Sequence, residues 1–125
     1  MAREIRDVVE QYVKRVGSGT TEDIVALYAP DAVIEDPIGT EPKQGHDAIR
    51  EFYNVITSLE REASLAPETV RIAGNHAAFV FTLVTKFDGQ RMTLRPIDVM
   101  EFDTEGRITR MRAYWSAGDM AVEPE

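Results

Sequence analysis

A chain of 125 residues suits one domain, residues 1–125, large enough to bury a core without cross-links. It contains no cysteine, which excludes disulfides, thiolate metal sites, iron–sulfur clusters and a cysteine nucleophile. The 22 acidic against 14 basic residues, a formal charge of −8, argue against nucleic acid as a ligand, and the 43% hydrophobic content argues against disorder.

The first ten residues, MAREIRDVVE, lack the apolar stretch of a signal peptide. No window approaches the length of apolar run that crosses a bilayer. A soluble, cytoplasmic chain with no membrane partner is the expectation. Residues 3–16 read as an amphipathic helix, because Ile5, Val8, Val9, Tyr12, Val13 and Val16 recur at helical spacing. Gly17-Ser18-Gly19 stops it and reads as a linker. A short second helix follows. Thr20 or Thr21 can cap it, Glu22 and Asp23 suit its first turn, and Ile24, Leu27 and Tyr28 share a face. Pro30-Asp31 ends it. Ala32 to Asp36 is a short strand, and Pro37 keeps Asp36 extended. Ile38 to Gly45, with two glycines and Pro42, is a loop. Residues 46–57 form a third helix, with Ile49, Phe52, Tyr53 and Ile56 on one face.

Near residue 65 the period changes from helical to alternating. Ser58 to Pro67 reads as a loop, and Val70 and Ile72 belong to a short strand. His76 to Phe87 alternates, with Phe79, Phe81, Leu83, Thr85 and Phe87 on one side. Asp88-Gly89 is a hairpin turn. Arg91 to Asp103 alternates as one strand, with Met92, Leu94, Pro96, Asp98, Met100 and Phe102 on one face. After Thr104-Glu105-Gly106, a last strand runs from Arg107 to Ser116, with Met111, Ala113 and Trp115 together. Helices first and a meander afterwards predict an α+β fold, with helices on one face of a mostly antiparallel sheet.

Three polar groups fall where patterning expects apolar ones. Asp98 sits between Pro96 and Met100 on an inward strand face, where burial favours the neutral acid, itself a hydrogen-bond donor. The alternative is an aspartate bonded to backbone amides, or turned outward at a bulge. Tyr12 lies in the middle of the first helix's apolar stripe. It is either an ordinary core tyrosine or a phenol with a partner. Asp36 shares strand parity with Ala32 and Ile34, and is either an inward-facing base or a turn aspartate before proline. Tyr28 and Tyr53, on apolar helix faces, could chain to Tyr12 or simply pack. Trp115 is a large flat hydrophobe suited to packing or to a ligand. His46 begins a helix and His76 begins a strand, so surface roles are expected, and no metal site is. No HExxH, P-loop, GxGxxG or GxSxG motif occurs.

In their surrounding words, these residues resemble the bacterial delta-5-3-ketosteroid isomerases. The matching stretches are Val9-Glu10-Gln11-Tyr12, Ile24-Val25-Ala26-Leu27-Tyr28, Ala32-Val33-Ile34-Glu35-Asp36-Pro37, Ala48-Ile49-Arg50-Glu51-Phe52-Tyr53, Pro96-Ile97-Asp98-Val99-Met100 and Met111-Arg112-Ala113-Tyr114-Trp115. The resemblance implies three N-terminal helices on a strongly curved mixed sheet, a conical barrel with a deep apolar pocket. It implies Asp36 as catalytic base, with Tyr12 and a protonated Asp98 as donors to an oxyanion. Tyr53 and Tyr28 would support Tyr12. Phe52, Phe81, Leu83, Leu94, Met111 and Trp115 would contact a 3-oxo steroid. The family uses no cofactor or metal and forms homodimers. Two other readings keep the fold: an enzyme of polyketide cyclase or epoxide hydrolase type, and a non-catalytic binding module like nuclear transport factor 2.

Overall fold

Strands whose residues alternate between core and solvent need a partner layer, and three helices supply it. The computed structural model describes residues 4–125. Helix α1 spans Ile5–Ser18, α2 Thr21–Val25 and α3 Gly45–Thr57. The strands are β1 Tyr28–Glu35, β2 Lys43–Gln44, β3 Glu60–Ala73, β4 His76–Phe87, β5 Gln90–Leu94, β6 Ile97–Phe102, β7 Ile108–Tyr114 and β8 Ala121–Pro124. The architecture is α+β, as the pattern predicts. No helix among the described residues is long and apolar enough to cross a membrane.

The strands form one mixed sheet in the order β2-β1-β7-β6-β4-β5-β8, with β3 on the other edge of β4. Among the described residues only the β1–β7 pairing is parallel. Strand β4 organises the rest. Its first half pairs with β6, through Phe79 opposite Asp98, and its second half with β5, through Leu83 opposite Leu94. The sheet is cone-like and is not closed into a barrel. Its concave side takes α1 and α3, which bury Val9, Tyr12, Val16, Ile49 and Tyr53 against Phe79, Phe81, Met100 and Met111.

Four local expectations change. Leu27 and Tyr28 leave the second helix, which starts at a Thr20–Asp23 capping box and ends at Ala26, its C-cap, whose N–H donates to the Glu22 carbonyl. Tyr28 opens β1, and Pro30 lies inside that strand where its register against β7 shifts, so the missing N–H costs no ladder bond. The predicted strand over 91–103 is two strands, because Pro96 breaks the ladder between them. Residues 60–67 of the predicted 58–67 loop are instead the first part of β3, paired with β4 from Glu60 to Ala66. The pattern hid it because an arginine takes an inward position. Arg61 donates to the carbonyls of Val16 (2.6 Å), Gly19 (2.6 Å) and Thr57 (3.2 Å), tying the ends of α1 and α3 to the sheet. Strand β8 has no counterpart in the sequence reading, since all four of its residues are exposed.

Gly17 is not a linker either. It lies in the last turn of α1, and a Cβ there would stand 2.8 Å from the backbone nitrogen of Ala63 and 3.2 Å from its Cβ. Alanine normally gains about 1 kcal/mol over glycine in a helix. Here the neighbour is backbone, so the crowding outweighs that gain. Gly17→Ala is expected to lower the unfolding free energy by about 1–2 kcal/mol, read from urea denaturation.

Candidate active site

Between α1, α3 and the concave sheet face lies a cavity of about 320 Å³. Tyr12, Asp36, Phe52, Tyr53, Phe81, Leu83, Leu94, Asp98 and Trp115 all line it. The chain thus brings together nine of the eleven residues singled out in the sequence. Tyr28 lies behind the wall, and Met111 lies in the core and does not reach the cavity. Met111 shares strand parity with Trp115, but parity does not tell which residue of a face is covered by a helix. Wall residues the pattern did not mark as a site include Leu59, Thr85, Met92 and Met120. The last is placed by the turn before β8, which pairs with β5 beside Met92.

The three phenols form a chain. Tyr28 and Tyr53 hydroxyls lie 2.6 Å apart, and Tyr53 and Tyr12 hydroxyls 2.9 Å. All three are buried, and burial holds each well above the usual phenol range, so they are neutral donors. Tyr53 is the one partner that pulls Tyr12 back down. If Tyr28 donates to Tyr53, and Tyr53 to Tyr12, the Tyr12 proton is left for the cavity, and the relay strengthens it. Edge contacts to Phe79 and Phe81, with ring centroids 6.3 and 6.2 Å away, fix the Tyr12 ring.

The two acids meet different surroundings. Asp98 is 1% exposed, and its Oδ1 is a buried side-chain atom with no hydrogen-bond partner among the described residues. Burial, and secondarily the charge of Asp36, push its carboxyl well above the usual range. Burial thus favours the neutral acid, and a proton on Oδ1 has no acceptor among the described residues. Asp36 ends the inward face of β1, and its Oδ1 accepts from Trp115 Nε1 at 2.7 Å. Burial raises its pKa, while the indole bond and then Lys43 lower it. The indole partner lies 79 residues away in the chain, so no local pattern could reveal it. Lys43 stands over the Phe52 ring, 5.4 Å from its centroid. His46, expected on the surface, is half-buried and its Nε2 lies 2.9 Å from the Tyr28 carbonyl. His76 is exposed, 3.7 Å from Glu101. No cluster able to hold a metal occurs among the described residues.

Residues 9–111 match the SnoaL-like domain. A steroid delta-isomerase of Nocardioides simplex is 43% identical over 124 residues, 99% of either chain. The epoxide hydrolase LasB of Streptomyces lasalocidi is 29% identical over 120 residues, which are 91% of this chain and 42% of that protein. Among solved structures, the epoxide hydrolase/cyclase-like enzyme SalBIII, of pyran ring formation in polyether salinomycin, superposes with a TM-score of 0.88 at 26% identity over 95% of each chain. RV0760c of Mycobacterium tuberculosis superposes with a TM-score of 0.86 at 23% identity over 98% of each chain, a likeness of fold.

An acid that keeps its proton on folding makes stability depend on pH. Its contribution is fully present below the unfolded aspartate pKa of about 3.9 and is lost as pH rises through the higher folded value. Asp98→Leu removes that slope along with the unpartnered polar atom. It is expected to be more stable than the unaltered protein by about 1–3 kcal/mol at pH 7, with a smaller difference at pH 5, by chemical denaturation at the two values.

Proposed function

The chain belongs to the SnoaL-like domain family, and within it we propose that it is a steroid delta-isomerase. The relative that matches it end to end bears that name. The observation that carries the reading is that Asp36, Tyr12 and Asp98 all line one apolar cavity. Asp36 is the base, while Tyr12 and Asp98 are the donors.

The substrate in this reading is a 3-oxo steroid whose double bond lies one position out of conjugation. Its carbonyl oxygen lies against Tyr12 and Asp98. The Asp36 carboxylate takes a proton from carbon 4. The electron pair released forms a dienolate, and its negative charge gathers on the carbonyl oxygen. Asp36, now the acid, returns the same proton to carbon 6, and the product is the conjugated enone. No atom is gained or lost, and the reaction asks for no cofactor.

Each part has a physical cause. A carboxylate is a weak base toward carbon, so the charge must be stabilised where it develops. Donors held in place in a dry site are worth about 3–4 kcal/mol each. Tyr12 is backed by the Tyr53–Tyr28 relay. Asp98 can donate only because it is neutral, the arrangement for which ketosteroid isomerases are the established case. Phe52, Phe81, Leu83, Leu94 and Trp115 form a wall that accepts a rigid hydrocarbon and excludes water. Trp115 also orients the base.

The epoxide hydrolase relatives keep open a reaction that would activate water between two acids. Among the described residues no arginine lines this cavity to position such a network, and its wall is apolar apart from Thr85 and the groups named. We also propose a homodimer. Its support is the outer sheet face, where Ile97 and Tyr114 are register partners and both stand about half exposed.

Mixing the purified protein with 5-androstene-3,17-dione should give conjugated-enone absorbance. Asp36→Asn is expected to abolish it, and Tyr12→Phe to lower turnover by about 10²–10³-fold. Turnover should also fall as pH drops through the Asp36 pKa, at a pH above that of an ordinary aspartate, because the base must be ionised. A rate equal in the unaltered protein and Asp36→Asn would refute the isomerase reading.

A further inference from the structure

The cavity wall holds one buried polar side chain that the reaction does not use. Among the described residues, Thr85 and Asp98 are the two that are polar or charged and buried, and both line the cavity. Asp98 Oδ1 is the one fully enclosed side-chain atom there that lacks a partner. The Thr85 hydroxyl also makes no hydrogen bond among the described residues, and the residue lines the cavity. Its cross-strand neighbours do not satisfy it. Arg61 lies opposite on β3, but its guanidinium is spent on the carbonyls of Val16 and Gly19. Met92 lies opposite on β5 and has no donor. A valine would fill the same shape without the cost of burying a hydroxyl.

Position gives the hydroxyl a direction. The donor end of the cavity is fixed on β4 by Phe79, opposite Asp98, and by Phe81, against Tyr12. Thr85 lies on the same face four residues beyond Phe81, about 13 Å along the strand. That is close to the length of a fused four-ring nucleus.

Resting on the isomerase reading, we propose that Thr85 is a specificity-determining residue. Its hydroxyl hydrogen-bonds an oxygen at the end of the ligand remote from the reacting carbonyl. The preferred substrates are then 3-oxo steroids with a keto or hydroxyl group on carbon 17. A steroid with only hydrocarbon there would leave the hydroxyl unpaired.

The test uses two non-reacting phenolic steroids, estradiol and 17-deoxyestradiol, whose phenol oxygen stands in for the dienolate oxygen. Binding is read from the fluorescence of Trp115, the single tryptophan of the chain. Thr85→Val is expected to weaken estradiol binding about five- to tenfold and to leave 17-deoxyestradiol unchanged. Thr85→Ser should restore estradiol binding. An equal change for both steroids, or no change for either, would overturn the assignment, as would failure of both to bind the unaltered protein. If Thr85→Val discriminates as expected while 5-androstene-3,17-dione is not isomerised, the contact stands and the reaction is what fails.

Discussion

The candidate site turns on a carboxyl group buried where no described residue answers one of its oxygens. Asp98 stands on the inward face of β6, enclosed by apolar side chains, with one oxygen unpartnered. A charge there would be costly to desolvate, so the group keeps its proton. In a domain selected only for stability a leucine would serve better. In the proposed reading the acid is a donor whose acceptor arrives with the ligand.

The opposite tasks proposed for the two acids rest on their standing on different elements. Asp98 is held near the start of β6 and is paired on both sides, with Phe79 of β4 and Ala113 of β7. Asp36 is just past the end of β1, where the indole of Trp115 can support its ionised form. Tyr12 comes from the opposite layer. Its relay partners span the helix–sheet junction, with Tyr53 on α3 and Tyr28 at the start of β1. Helix and sheet must therefore pack correctly before the donor end exists. Close packing of Gly17 on Ala63 and the Arg61 bonds to the helix ends hold that registry. Stability of the junction and geometry of the site are thus one problem.

Much of this was legible in the chain. Periodicity of two put Asp98, Leu94 and Pro96 on one face, and helical spacing put Tyr12 among valines. Both assignments match the burial seen. What the chain hid has local physical reasons. Leu27 and Tyr28 fit helical spacing as well as a strand, and only the capping at Ala26 decides. Strand β3 was masked by Arg61 on its inward face and by Pro67, and β8 by having no buried residue. The Trp115–Asp36 bond joins positions far apart in sequence. Met111 shows the converse limit, for parity gave the right face but not which layer covers it. Thr85 was visible as an inward residue, yet only the cavity shows that its hydroxyl is unclaimed.

The central claim is that one cavity holds an ionised and a neutral carboxyl group at the same pH. Infrared difference spectroscopy between the unaltered protein and Asp98→Asn at pH 7 tests it most directly. The account predicts a carbonyl stretch of a protonated carboxylic acid that is present in the unaltered protein, lost in Asp98→Asn and shifted when estradiol binds. A difference spectrum showing only the loss of a carboxylate band would contradict it, for an ionised Asp98 could donate to nothing.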